Sequence, residues 1–134
     1  MGWRQSLNTA GIVALAFCAG APAAHAQQMN GPAKVAEVRK GPALVDPRGM
    51  TLYVFDEDRD GTPHCQKDCT TQWPPFAAKA EDKPSGDWAT TPREDGSKQW
   101  TYKGRPLYTW YRDKKEGDAE GDGFNGNRWH IARP

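Results

Sequence analysis

Apolar and polar positions alternate along this chain in short runs, and no stretch keeps a helical period over ten residues or more. Val35-Ala36-Glu37-Val38 alternates and stops at Lys40-Gly41-Pro42, which predicts a short strand and a turn. Ala43-Leu44-Val45 predicts a second strand. Asp46-Pro47-Arg48-Gly49 puts Asp first, Pro second and Gly fourth, the preferences of a type I turn. Residues 50–55 read as the returning strand, with Leu52 and Val54 on one face and Tyr53 and Phe55 on the other. Residues 87–93, 98–102 and 106–111 predict three more strands, turned by Asp95-Gly96 and by Lys103-Gly104. Trp129-His130-Ile131 predicts the last. Two polar loops interrupt this pattern. Residues 56–72 include a predicted short helix over 65–72, and residues 114–127 are rich in Gly, Asp and Asn. Trp73-Pro74-Pro75-Phe76 stiffens the exit of the first loop, because proline fixes φ and donates no hydrogen bond.

The pattern occurs twice. Gly49-Met50-Thr51-Leu52-Tyr53-Val54-Phe55-Asp56-Glu57-Asp58 and Gly104-Arg105-Pro106-Leu107-Tyr108-Thr109-Trp110-Tyr111-Arg112-Asp113 align at an offset of fifty-five residues. Gly falls on Gly, Leu on Leu, Tyr on Tyr and Asp on Asp, and Phe55 falls on Trp110. Each copy runs into a polar loop that ends in a Trp, Trp73 and Trp129, with the spacing longer by one residue in the second copy. An internal duplication sets the architecture before any single residue does. An isolated hairpin is marginal, so the two copies are expected to pack together. The expected fold is all-β: a small single domain, 35–134, of short antiparallel hairpins, with pseudo-equivalent repeats at about 43–76 and 98–131.

Composition changes this picture in two places. The domain is polar and poor in Leu and Ile, so Trp, Tyr and Phe must supply the core; aromatics bury a large area per residue. Upstream, Arg4, an apolar run over 10–20 and Ala24-His25-Ala26 form a signal peptide, 1–26, with cleavage expected before Gln27. The run is too short to span a bilayer as a helix. A lipid anchor at Cys18 is not expected, since bulky Phe17 precedes it. Residues 27–34 read as a flexible leader. Removing 1–26 removes Arg4 and no acid, which balances the 17 acidic residues with as many Lys and Arg. With no basic patch and no second apolar segment, neither nucleic acid nor a membrane span is expected.

The paired motif, Tyr53-x-Phe55-x-x-Asp58 and Tyr108-x-Trp110-x-x-Asp113, resembles that of a family of bacterial secreted and lipoprotein-type repeat proteins. Cys65-x-x-x-Cys69, Trp73-Pro74-Pro75, Gln99-Trp100-Thr101-Tyr102 with Gly104, and the Gly117-Asp118 to Gly123 stretch are also similar to that family. The resemblance spans about 35–131. It implies export and a repeat architecture, and it implies no chemistry.

Cys65 and Cys69 are the remaining cysteines of the exported chain, and export favours a disulfide. A Cys-x-x-x-Cys copper site with His64, and a redox pair, are the alternatives. Asp56-x-Asp58-x-Asp60-Gly61 imitates the start of a calcium loop, and Asp118-x-Glu120-x-Asp122-Gly123 does so again. Both lack the bidentate Glu at the twelfth position, where Lys67 and Trp129 stand, so acidic turn chemistry is the simpler reading. Asp58 and Asp113 are expected to accept hydrogen bonds from amides of their own loops, returning Trp73 and Trp129 over the motif aromatics. The aromatics are read as core rather than as a ligand face, and His130 as a surface or edge residue. No nucleophile motif, phosphate loop or metalloprotease motif is present. The expected role is therefore a non-catalytic, exported structural or interaction module of the cell envelope, monomeric and free of cofactors, with an unidentified partner or ligand. The alternative is an envelope metal-handling protein, using His64, Cys65 and Cys69 for copper or the Asp-rich loops for a weak divalent ion.

Overall fold

Alternating residues and tight turns commit each half of the chain to a hairpin followed by a motif strand. The structure, a computed structural model, describes residues 31–134 together with Gly2, Gly11, Val13, Ala14, Ala16 and the backbone of Gln27–Gln28. Cys18 and the predicted cleavage site Ala24-His25-Ala26 lie outside the described residues. In chain order the elements are β1 (Gln27–Gln28), β2 (Lys34–Val38), β3 (Gly41–Val45), β4 (Tyr53–Phe55), α1 (Cys69–Gln72), β5 (Ala77–Ala78), β6 (Trp88–Pro92), β7 (Lys98–Tyr102), β8 (Arg105–Pro106), α2 (Phe124–Asn127) and β9 (Trp129–Ile131). The fold is all-β, in short antiparallel sheets. Among the described residues no helix is long and apolar enough to cross a membrane.

The two hairpins correspond. β2 pairs with β3 through Val35↔Leu44, and β6 pairs with β7 through Thr90↔Trp100. Lys103 and Gly104 both take positive φ, 50° and 79°, and so make the tight turn that β7 and β8 require. The motif strands then cross. β4 pairs with β9, which ends the second repeat, in the register Tyr53↔Ile131, Val54↔His130 and Phe55↔Trp129. The segment after Tyr108 pairs in the same way with the end of the first repeat: Thr109 N donates to the Pro74 carbonyl (2.8 Å) and Tyr111 N to the Gln72 carbonyl (3.0 Å). Pro74 has no N–H to return the bond. That explains why the strand predicted over 106–111 is reduced to β8 and isolated bridges. At the centre, Tyr53 N donates to the Tyr108 carbonyl (2.8 Å) and Tyr108 N to the Tyr53 carbonyl (3.0 Å). A pseudo-twofold axis runs between these two tyrosines.

Alternation along β4 divides the interior in two, as the sequence pattern predicts. Leu52 and Val54 join Leu44, Trp88, Trp100, Tyr102 and Leu107 in one cluster. Tyr53 and Phe55 join Trp73, Tyr108, Trp110 and Trp129 in the other. The stretch read as a leader is built in: Gln27↔Val35 and Gln28↔Lys34 pair β1 with β2, and Ala33 is buried. Gly31 lies so close to the Trp88 indole that any side chain there would collide with it. The leader reading missed this because a two-residue strand leaves no period to detect.

Candidate functional site

The motif residues Tyr53, Phe55, Asp58, Tyr108, Trp110 and Asp113 converge at the pseudo-twofold axis. Each carboxylate ends its motif strand and faces the start of its own loop. Asp58 Oδ1 accepts from the His64 amide at 2.7 Å, and Asp113 Oδ1 accepts from the Glu120 amide at 3.0 Å. These are the own-loop bonds expected from the sequence. The second oxygen of each carboxylate does what the sequence could not disclose: it binds the tyrosine of the opposite motif. Tyr53 Oη donates to Asp113 Oδ2 at 2.5 Å, and Tyr108 Oη donates to Asp58 Oδ2 at 2.9 Å. The exchange is reciprocal, residue for residue. Tyr53 Oη also accepts from the Gly121 amide at 3.2 Å.

Electrostatics fix the direction of these bonds. Burial pushes both tyrosine hydroxyls far above their ordinary range, and the carboxylate each one faces pushes further. Both hydroxyls therefore remain neutral donors. Burial also raises Asp58 and Asp113, against the pull of their donors.

The aromatics repeat the symmetry. Phe55, Trp129, Trp73 and Trp110 stack in that order, with ring centroids 4.2, 3.7 and 4.2 Å apart. The central tryptophans are parallel to within 1°. Tyr53 meets Trp73 edge-on at 5.4 Å, and Tyr108 meets Trp129 edge-on at 5.1 Å. Trp73 and Trp129 thus return over the motif aromatics as expected, each meeting the Tyr of its own copy and the Phe or Trp of the other. The stack is core, since Trp73 and Trp129 are 2% and 1% exposed. Only its rim reaches the surface. Phe124, 41% exposed, packs on Trp110 at 4.6 Å beside a shallow cleft of about 650 Å³ between α1 and α2. Tyr111, 37% exposed, meets Trp110 edge-on at 4.8 Å and borders a second cleft of about 430 Å³.

Cys65 and Cys69 form a disulfide. Both sulfurs are joined to each other, so this form offers no thiolate to copper; the neighbouring His64 holds Asp58 through its backbone amide, a contact that does not involve its imidazole. The other metal candidates diverge. Asp56 faces His130 (2.7 Å) and Arg105 (3.3 Å), Asp58 faces Tyr108, and Asp60 sits in a left-handed turn. Among the described residues no three of His, Cys, Asp and Glu converge where they could hold an ion. His130 lies half-buried on β9, an edge position as expected.

Sequence reasoning missed one buried polar group. The Arg93 guanidinium is buried, donating to Gln99 Oε1 (2.6 Å) and to the Cys65 carbonyl (2.7 Å), while Gln99 Nε2 donates to the Leu107 carbonyl (2.6 Å). The available signal was Arg93 at the mouth of the Asp95-Gly96 hairpin, opposite Ser97 and so two residues from Gln99 on the facing strand.

Residues 34–77 and 89–133 each match the Lipoprotein_15 family, described as a secreted repeat of unknown function. Each matched span begins a strand upstream of the repeat that the motif alone delimits, because the hairpins carry no shared residue signature. No curated protein and no solved structure matches the chain. Two matches that together cover most of the described domain, on halves that exchange the same bonds, make this chain a member of that family of secreted repeats.

Proposed function

We propose that this protein is an exported, non-catalytic structural or interaction module of the bacterial cell envelope, released into the periplasm or medium by cleavage before Gln27. The observation that supports this most is the reciprocal Tyr–Asp exchange. It occupies both oxygens of Asp58 and of Asp113 with donors from the fold itself. A general acid or base must instead reach a substrate proton. What remains for recognition is the rim of the aromatic stack, Phe124 and Tyr111, beside the two shallow clefts. Exposed aromatics of this kind anchor protein interfaces.

Site-specific photo-crosslinking in the exporting cell tests this reading. A crosslinker at Phe124 or Tyr111 is expected to give a discrete adduct, and one at exposed Glu81 is expected to give none. Equal labelling from all three positions, or no adduct from either aromatic position, would overturn it.

A further inference from the structure

Each repeat holds the loop of the other. The 59–72 loop is fastened by Tyr108 through Asp58 and by Arg93 through the Cys65 carbonyl. The 114–128 loop is fastened by Tyr53 through Asp113, by Thr51 Oγ1 on the Asp118 carbonyl (2.5 Å), and by the Arg39 amide on the Gly117 carbonyl (3.1 Å). The β-ladders cross likewise, β4 onto β9 and Tyr108–Tyr111 onto Gln72–Pro75. Neither repeat completes its own aromatic cluster. Phe55 stacks on Trp129, and Trp110 stacks on Trp73. Two complementary halves are thus joined by one connector, residues 79–87.

That connector is exposed almost throughout and contributes nothing to either core. Its bonds are few: Lys79 N to Asp82 Oδ2 (2.7 Å), Asp82 N to the Lys79 carbonyl (3.1 Å), Lys98 Nζ to the Ala80 carbonyl (3.3 Å), one turn at Ser85 with Trp88, and, at its end, Lys103 N to the Asp87 carbonyl (2.8 Å), which stays within the second repeat. Straightening it upstream of Asp87 gives up only the other surface bonds.

We infer that the partner each half fits is the other half of a second copy of this chain. In the exchanged dimer Tyr53 of one chain donates to Asp113 of the next, β4 pairs with β9 between chains, and the aromatic stack is built twice from two chains. Every contact between repeats is kept and only the connector changes path, the condition under which exchange is a low-cost route to a dimer. Such a dimer forms by mass action at high protein concentration and persists because leaving it requires both cores to open. It duplicates the exposed aromatic rim on one particle, so a crosslinking target that needs two rims would see only the dimer.

The test uses full-length chains. Val54 and His130 lie directly opposite in β4 and β9, a separation that a disulfide can bridge. Val54→Cys and His130→Cys are made in separate chains, mixed unfolded, and refolded together at high concentration with the native disulfide allowed to form. The double variant V54C/H130C refolded at low concentration is the control for closure within one chain. Wild-type protein refolded over the same concentration range is weighed by size exclusion with light scattering. The expected result is a growing wild-type dimer and, in the mixture, a disulfide joining the two introduced thiols between chains, located by peptide mapping. Wild-type monomer alone at every concentration would overturn the proposal. So would a dimer with no bridge between chains in the mixture, when the double variant closes within one chain.

Discussion

The first repeat closes its loop with a disulfide, and the second closes the equivalent loop with nothing covalent. Allowing for the one extra residue, Cys65 corresponds to Gly121 and Cys69 to Asn125. The reason lies in the rings. Trp110 occupies the place that Phe55 holds in the other half, and with Trp73 it lies so close that any side chain at Gly121 would strike both indoles. Cys65, in the first repeat, is buried in the same cluster as the smaller Phe55 ring. The hairpins differ in the complementary sense. Arg93 and Gln99 are buried in the second hairpin where Val38 and Ala43 are buried in the first. Arg93 reaches across to the Cys65 carbonyl, so the polar hairpin serves the disulfide loop. The difference teaches that the exchanged tyrosines, carboxylates and tryptophans define the shared scaffold, whereas each loop has its own means of closure.

The largest expected effects fall on that scaffold. Trp73→Ala and Trp129→Ala should each cost about 3–5 kcal/mol, much of the total for a small domain, and by similar amounts. Thermal or urea melts showing only one of the two to be costly would break the equivalence. Asp113→Asn should come next, at about 1–3 kcal/mol, because the amide nitrogen that replaces one oxygen cannot accept from the Tyr53 hydroxyl or the Glu120 amide and leaves one of these donors unpaired. Asp58→Asn should cost less, since Asp58 is only half-buried. The reverse order in urea titrations would refute this use of burial. Replacing Cys65 and Cys69 by Ala should cost about 2 kcal/mol or less, given how small the closed loop is. Arg93 keeps hold of the Cys65 carbonyl, so the fold should survive, and intact near-ultraviolet circular dichroism checks that.

Acid should separate the repeats more finely. Asp118 exists only in the second loop and accepts the Lys114 amide (2.8 Å) as well as the Lys115 amide and ammonium. These donors, the Lys114 amide foremost, hold its carboxyl down at about 2. A depressed carboxyl stabilises the fold above its unfolded value of about 3.9, and that contribution is lost as pH falls toward 2. The Ser97 hydroxyl lowers Asp95 in the same sense. Asp58 and Asp113, raised by burial, have the opposite sign, favouring the fold as they protonate. Asp118→Asn should therefore flatten the stability loss between about pH 4 and pH 2. An unchanged acid limb would contradict the assignment. The smallest effect is expected from copper. Calorimetric titration of the oxidised protein should show no tight stoichiometric site, and a site abolished by His64→Ala would contradict the joined sulfurs as the reason.

Much of this is legible in the sequence alone. The fifty-five-residue offset gives the two halves, alternation along 52–55 gives two interior faces, and the own-loop bonds of Asp58 and Asp113 follow from their places in the motif. The crossing was not legible. Nothing local in Tyr53 distinguishes Asp58, in its own motif, from Asp113, sixty residues away, because each pairing satisfies the same chemistry. The choice is made by the antiparallel bridge between Tyr53 and Tyr108, a long-range contact. The leader was hidden for a related reason: Gly31 and Ala33 bear no period, and their docking depends on Trp88, which the second repeat supplies.

The account rests on exchange between the copies, and a double-mutant cycle measures it directly. Tyr53→Phe, Asp113→Asn and the double variant are compared with Tyr53→Phe, Asp58→Asn and their double variant, all by urea unfolding. The account predicts a coupling of about 1–3 kcal/mol for Tyr53 with Asp113, and near-additivity for Tyr53 with Asp58. Coupling of Tyr53 to Asp58, with additivity toward Asp113, would show that each motif closes on itself and would contradict the exchange.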